Sequence, residues 1–169
     1  MNFTPASSAK DLQNSTPTDT TIVLTRPFNA PRRLVWEATF TPAKMRRWML
    51  PPPGWTITTI ECDARVGGAL SLAWKGDEAD AVMTLRGEFT EVALHERAIH
   101  TEVMALGSGQ IIGSLLEKHE FADNGSATAM SITQTYNSQV DRDGALASGT
   151  DQGMEACYQK LDAVLAQRA

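Results

Sequence analysis

Apolar side chains recur along the chain in distinct rhythms. Residues 1–19 are rich in Ser, Thr, Pro, Asn and Asp and carry hardly any apolar periodicity. Such a stretch buries too little apolar surface to offset the entropy of ordering it, which predicts a flexible leader. The β-branched run Thr20-Thr21-Ile22-Val23-Leu24-Thr25 predicts a first strand. It ends at Arg26-Pro27-Phe28-Asn29-Ala30-Pro31, where two prolines interrupt regular hydrogen bonding. Pro31 suits the first turn of a helix, with Asn29 or Ala30 near its cap and Leu34, Val35, Ala38 and Thr39 forming an amphipathic face. Thr41-Pro42-Ala43-Lys44 repeats the signal and opens a second short helix through Met45 and Trp48, which Pro51-Pro52-Pro53-Gly54 stops.

From Trp55 to Tyr136 the rhythm is that of strands. Trp55–Cys62, Ala69–Trp74, Val82–Val92, Ala98–Met104, Ile111–Phe121 and Ala127–Tyr136 are separated mostly by Gly, Asn and Asp turn signals, which predicts an antiparallel meander. Asp143 to Arg168 then reads as one long helix, with Leu146, Gly149, Gly153, Cys157, Leu161 and Val164 along one face. A curved sheet gripping such a helix encloses a cavity where small residues face it, and a small apolar ligand binds in such a place. Close helix–sheet packing is the competing reading of Gly149 and Gly153.

Composition narrows the function classes. The chain has 169 residues, 42% hydrophobic and 21% charged, enough for one folded domain over residues 20–169. Fifteen Lys and Arg against 20 Asp and Glu give a net charge of −5, and the isoelectric point is near 5.2, which argues against nucleic acid as a partner. There is no apolar run of membrane-spanning length and no secretory signal pattern, so cytoplasmic residence is the default expectation. Cys62 and Cys157 lie far apart without metal or redox spacing and read as buried free thiols. His95, His100 and His119 form no HExxH or Cys/His constellation, Gly67-Gly68 opens no dinucleotide-binding helix, and no serine sits in a nucleophile elbow. The sequence therefore predicts no metal and no cofactor.

Several motifs, in order, resemble the START-like or Bet v 1-like (SRPBCC) superfamily, and within it the activator of Hsp90 ATPase homologue-like family. Phe28-Asn29-Ala30-Pro31-Arg32-Arg33-Leu34-Val35-Trp36-Glu37-Ala38 is similar to that family's opening motif. Thr41-Pro42 through Arg47-Trp48, Asp63-Ala64-Arg65-Val66-Gly67-Gly68, Gly87-Glu88-Phe89-Thr90-Glu91-Val92 with Glu96-Arg97, and Gly153-Met154 before Tyr158 and Leu161 continue the likeness over residues 20–167. The resemblance implies an α+β helix-grip fold: a curved antiparallel sheet wrapped around a long C-terminal helix, two short helices after the first strand, and an internal pocket. It does not imply one activity, because fold and function separate in this superfamily.

Alternation along the strands supplies pocket candidates. Leu70, Leu72 and Trp74 share one face, as do Met83, Leu85 and Phe89, and as do Met130, Ile132, Gln134 and Tyr136. Gln134 and Tyr136 would add a few orienting polar groups to an apolar wall, although Tyr136 also reads as a core or rim aromatic. His100 and Glu102 lie on one face with Ala98 and Met104, and can form an acid–base pair through a bridging water if that face lines the cavity. The opposite face, with Ile99, Thr101 and Val103, looks at least as core-like, which would put His100 and Glu102 in solvent. Glu117 and His119 repeat the ambiguity. Trp48, Trp55 and Trp74 read as core or as stacking surfaces, and Gly153 and Cys157 complete the candidate ligand-binding set.

Three function classes follow from this reading. The first is a binding protein for a hydrophobic molecule such as a lipid, polyketide or aromatic metabolite. The second is a cyclase-, dehydratase- or hydrolase-like enzyme using the same cavity. The third is a chaperone-associated or stress-response interaction domain, for which Arg26, Arg32, Arg33, Arg46 and Arg47 are the candidate surface. An edge strand also offers a route to homodimerisation.

Overall fold

A computed structural model describes residues 12–78 and 80–167. Its strands are β1 (Gln13–Ser15), β2 (Thr21–Phe28), β3 (Trp55–Cys62), β4 (Ala69–Gly76), β5 (Val82–Ala93), β6 (Arg97–Leu106), β7 (Ile111–Asn124) and β8 (Ala127–Tyr136). Helices α1 (Arg32–Phe40) and α2 (Pro42–Met45) lie between β2 and β3, and α3 (Gln139–Ala147) and α4 (Thr150–Ala166) follow β8. The strands form one antiparallel sheet in the order β1-β2-β8-β7-β6-β5-β4-β3. The meander β3 to β8 is thus extended by β2, which pairs with the last strand. This is the α+β helix-grip arrangement that the motifs imply. No described helix is long and apolar enough to cross a membrane.

Curvature comes from local irregularities. Register shifts interrupt β3 against β4 and β5 against β6, the latter between Phe89 and Glu91. At Gly87 a Cβ atom would stand 1.8 Å from the Thr101 carbonyl oxygen, so only glycine lets β5 bend this closely over β6. The concave face collects the core: Ile22, Leu24 and Phe28 from β2, Leu70, Leu72 and Trp74 from β4, and Met130 and Ile132 from β8. Helix α1 covers one end of this face with Val35, Trp36 and Phe40, and α4 covers another with Tyr158, Leu161 and Leu165.

Two expectations need correction. The C-terminal segment is two helices, not one. Ser138 caps α3 by accepting a hydrogen bond from the Asp141 N–H, and Gly149 (φ +78°) breaks the path before α4. The expected leader is also structured at its end. Gln13–Ser15 pairs with β2, the Leu12 N–H donates to Glu155 Oε2 (3.1 Å), and Asn14 Nδ2 donates to Asp151 Oδ2 (2.7 Å). Residues 1–11 lie outside the described residues.

Alternation places Arg26 at a core position of β2, between Leu24 and Phe28. Its guanidinium is buried against Glu155 (3.0 Å) and Asp162 (2.6 Å), both on α4, and lies 4.8 Å from the Phe28 ring centroid. This pair ties the middle of α4 to the sheet. It also removes Arg26 from the exposed arginine surface considered above. Of the other four arginines, Arg32 pairs with Glu96 and Asp123, Arg33 with Glu37, Arg46 donates to the Ile60 carbonyl, and Arg47 to Gln167.

Because a buried charge without its partner is costly, Glu155→Ala is expected to destabilise the protein by about 3–5 kcal/mol. Urea unfolding would show this as a lower midpoint with an unchanged slope. A change below about 1 kcal/mol, the range of exposed pairs, would contradict the role given to this contact.

Candidate functional site

The N-terminal end of α4, with glycine at 149 and 153, leaves the space toward β4, β5 and β6 unfilled. Beneath it lies a cavity of about 710 Å³. Leu70, Leu72 and Trp74 of β4, Met83 of β5 and Met104 of β6 form much of its apolar floor. One wall comes from Phe40, Met45, Trp48 and the Leu50–Pro53 loop, and the roof from Ser148, Gly149, Thr150, Gly153, Met154 and Cys157. A Cβ atom added at Gly153 would meet nothing within 4 Å. The small residues of this helix therefore stand over open space, and close helix–sheet packing does not describe them.

The polar part of the floor is concentrated on two paired strands. His100 and Glu117 are cross-strand partners, and His119 follows two residues later on the same face of β7. His119 Nε2 lies 2.7 Å from Glu117 Oε1, while His100 Nε2 lies 3.9 Å from that oxygen. Gln134 Nε2 donates to Glu117 Oε2 (2.8 Å), and the Tyr136 hydroxyl donates to Gln134 Oε1 (3.0 Å). Glu102 Oε1 lies 3.6 Å from His100 Nδ1, beyond hydrogen-bond distance. Aromatic rings fix the imidazole planes: Phe89 packs edge-on to His100 with centroids 5.1 Å apart, and Phe40 does the same to His119 at 5.3 Å.

These surroundings separate the charge states of neighbouring groups. Burial pushes His100 down to about 4 despite the pull of Glu117, so its ring is neutral at pH 7. Burial raises Glu102 well above the usual carboxylate range, and the Glu117 charge adds to it. Burial would raise Glu117 too, but the hydrogen bond and charge of His119, helped by His100 and Gln134, outweigh it and hold Glu117 below that range. Tyr136 is pushed up to about 12 by burial and the two carboxyl groups. The floor thus presents one carboxylate and, beside it, one carboxyl group that resists ionisation.

The solvent-facing reading of His100 and Glu102 is corrected by this geometry. His100 is 2% exposed, Glu117 8% and His119 5%, while Thr101 and Val103 on the opposite face are exposed. Of the candidate ligand-binding residues, Trp48, Leu72, Trp74, Met83, His100, Glu102, Gly153 and Cys157 line the cavity. The remaining candidates lie elsewhere. Trp55 is half-buried against Gly76, and Leu85, Phe89, Met130 and Ile132 are core. Gln134 and Tyr136 sit behind Glu117 and hold it in place.

Sequence reasoning missed Met45, Met49, Met104, Met154 and Pro51–Pro53 among the lining residues. Seven methionines in the chain were the available signal, since flexible thioethers suit adaptable apolar walls. Trp48 is held by its indole N–H donating to the Ala38 carbonyl (2.9 Å), and Cys157 Sγ accepts from the Leu50 N–H (3.4 Å), joining α4 to the proline loop.

A family model for activator of Hsp90 ATPase homolog 1-like proteins matches residues 29–166. The chain belongs to this family. No curated protein matches its sequence. Among solved structures, a protein from Rhodobacter sphaeroides is 25% identical, with a TM-score of 0.83 over 94% of this chain and 99% of that one. A protein from Mycobacterium smegmatis (21% identical, TM-score 0.76, 95% and 99% covered) and one from Arthrobacter aurescens (20%, 0.77, 96% and 94%) share the fold. The family match includes α1 through α4 and hence every strand and helix that lines the cavity.

The thiols provide a check on this packing. Cys62 and Cys157 are both free and half-buried. Burial, with Asp63 adding to it, pushes Cys62 up to about 12, and burial raises Cys157 against a smaller opposing effect of the Leu50 N–H and Lys160. At pH 8 the folded protein is expected to alkylate at Cys62 more than about 100-fold slower than free cysteine, since only the thiolate reacts. Both thiols should react at the free rate in urea. Rapid labelling of Cys62 in the folded state would show that the packing around β3 is wrong.

Proposed function

We propose that the protein binds a small, mainly apolar molecule with one polar end, enclosed between the sheet and α4. The observation that carries this reading is the composition of one cavity. Its walls are largely Met, Leu, Trp and Pro side chains, and its titratable carboxyl and imidazole groups, His100, Glu102, Glu117 and His119, are gathered on the floor. A volume of about 710 Å³ falls within the range of ligand pockets, roughly 300–1,000 Å³. Apolar walls supply binding free energy through the area they remove from water, while few, fixed polar groups select orientation. Family membership agrees with an internal pocket and adds no ligand identity.

A second reading is turnover of the bound molecule. Two carboxyl groups and two imidazoles face one cavity, and this is the observation that favours it. The interaction-domain reading receives less support, because its proposed arginine surface is divided among separate partners and Arg26 is buried.

The test begins with denaturing extraction of the purified protein and mass spectrometry of what is released. A stoichiometric apolar compound carrying a polar group is the expected result. Its incubation with the emptied protein then separates storage from turnover. Gly153→Leu should fill the cavity without loss of stability, since glycine costs a helix interior about 0.8–1 kcal/mol relative to alanine. It should weaken binding of a fluorescent long-chain fatty acid at least tenfold. An empty extract together with unchanged probe affinity in Gly153→Leu would overturn the reading.

A further inference from the structure

The floor of the cavity contains more than hydrogen-bonding groups for an organic ligand. One ligand atom from each of His100, Glu117 and His119 falls within 4.8 Å of the other two. All three residues are buried, and they come from adjacent positions of two paired strands, where backbone hydrogen bonding restricts their movement. We propose that His100, Glu117 and His119 form a binding site for one divalent first-row transition-metal ion, of the zinc class, opening onto the cavity.

Donor chemistry selects this class. Two imidazoles and one carboxylate suit zinc and its neighbours, whereas calcium and magnesium take oxygen ligands almost alone. The spacing agrees. With metal–ligand bonds of about 2.0–2.2 Å, donor atoms of a tetrahedral site stand roughly 3.3 Å apart. The observed separations, 2.7 Å from His119 Nε2 to Glu117 Oε1 and 3.9 Å from His100 Nε2 to the same oxygen, bracket that value. All three donor atoms lie within 4.8 Å of one another, so side-chain adjustments of up to roughly 1.5 Å bring them to that spacing.

The surroundings resemble those of a metal site. Glu117 uses Oε2 to accept from Gln134, which in turn accepts from Tyr136, leaving Oε1 turned toward the imidazoles. A ligating carboxylate is commonly oriented by such an outer shell. Hydrogen bonding within the protein leaves this cluster incompletely explained. His119 Nε2 has Glu117, but His100 Nε2 stands too far from Glu117 Oε1 for a hydrogen bond, and His119 Nδ1 is buried without a partner. Three protein ligands leave at least one coordination position free, as in catalytic rather than structural zinc sites. His100, Glu117 and His119, like Glu102, line the cavity proposed for the organic ligand. The metal site stands independently of whether that ligand is bound.

The direct test needs no substitution. Chelator-treated protein, labelled with ¹⁵N, is titrated with Zn²⁺ while the imidazole nitrogens of its three histidines are followed by NMR. The inference predicts saturation at one equivalent, with the Nε2 resonances of His100 and His119 both shifting and those of His95 unchanged. His95 serves as the control because it sits in the β5–β6 turn, away from the cavity lining. Co²⁺ should give visible absorption bands of a four- or five-coordinate centre at the same stoichiometry. Glu117→Gln should weaken Zn²⁺ binding by at least about 100-fold, the upper end of what loss of an outer-shell partner alone costs. Failure of Zn²⁺ to bind, a response at His95, or a shift at only one of the two buried imidazoles would overturn the site.

Discussion

The burial of Arg26 organises the rest of the molecule. A guanidinium in a core position of β2 is tolerable only where carboxylates meet it, and Glu155 and Asp162 of α4 do so. This fixes α4 over the sheet at its middle. Toward its C-terminal end Tyr158, Leu161 and Leu165 pack against the concave face, and Tyr158 meets Phe28 edge-on with centroids 5.6 Å apart. Toward its N-terminal end Gly149 and Gly153 offer no side chains to fill the space below. The cavity is therefore the unfilled half of the helix–sheet interface.

The chemistry of that space follows from strand alternation. Residues 98, 100, 102 and 104 of β6 face inward, as do 117, 119 and 121 of β7. Polar side chains on such a face lose hydration, so they must satisfy one another or bind something that does. Glu117 is satisfied through His119, Gln134 and Tyr136, and phenylalanine rings hold the imidazoles in place. Glu102 and His100 lack comparable partners and border the open space. The polar group that a ligand or an ion would meet is thus prepositioned in part by Gln134, Tyr136 and Phe89, which do not themselves line the cavity.

Much of this was legible from the residues. Gly, Asn and Asp turns marked the strands from Trp55 to Tyr136, and the proline signals marked both short helices. The inward face of β6 was not legible, because Ile99, Thr101 and Val103 satisfy the same alternation as His100, Glu102 and Met104. Only the placement of α1 and α4 over one side decides between them. The same limit applies to Leu85, Phe89, Met130 and Ile132, whose parity puts them on the concave face but whose lateral position puts them in the packed core. The pattern of small residues concealed the break at Gly149, since a helix-compatible spacing continues through it. Strand β1 carries no apolar signal at all; edge pairing and contacts to Glu155 and Asp151 hold it.

The central claim, that α4 arches over a ligand space, is tested most directly by methyl NMR of methionine. Met45, Met49, Met83, Met104 and Met154 line the cavity, whereas Met130 is buried in the core outside it. Titration with a series of medium-chain fatty acids and alcohols should shift those five methyl signals together, saturably, and leave Met130 in place. Saturable shifts that include Met130 but spare the five, or the absence of any saturable shift across the series, would contradict the account.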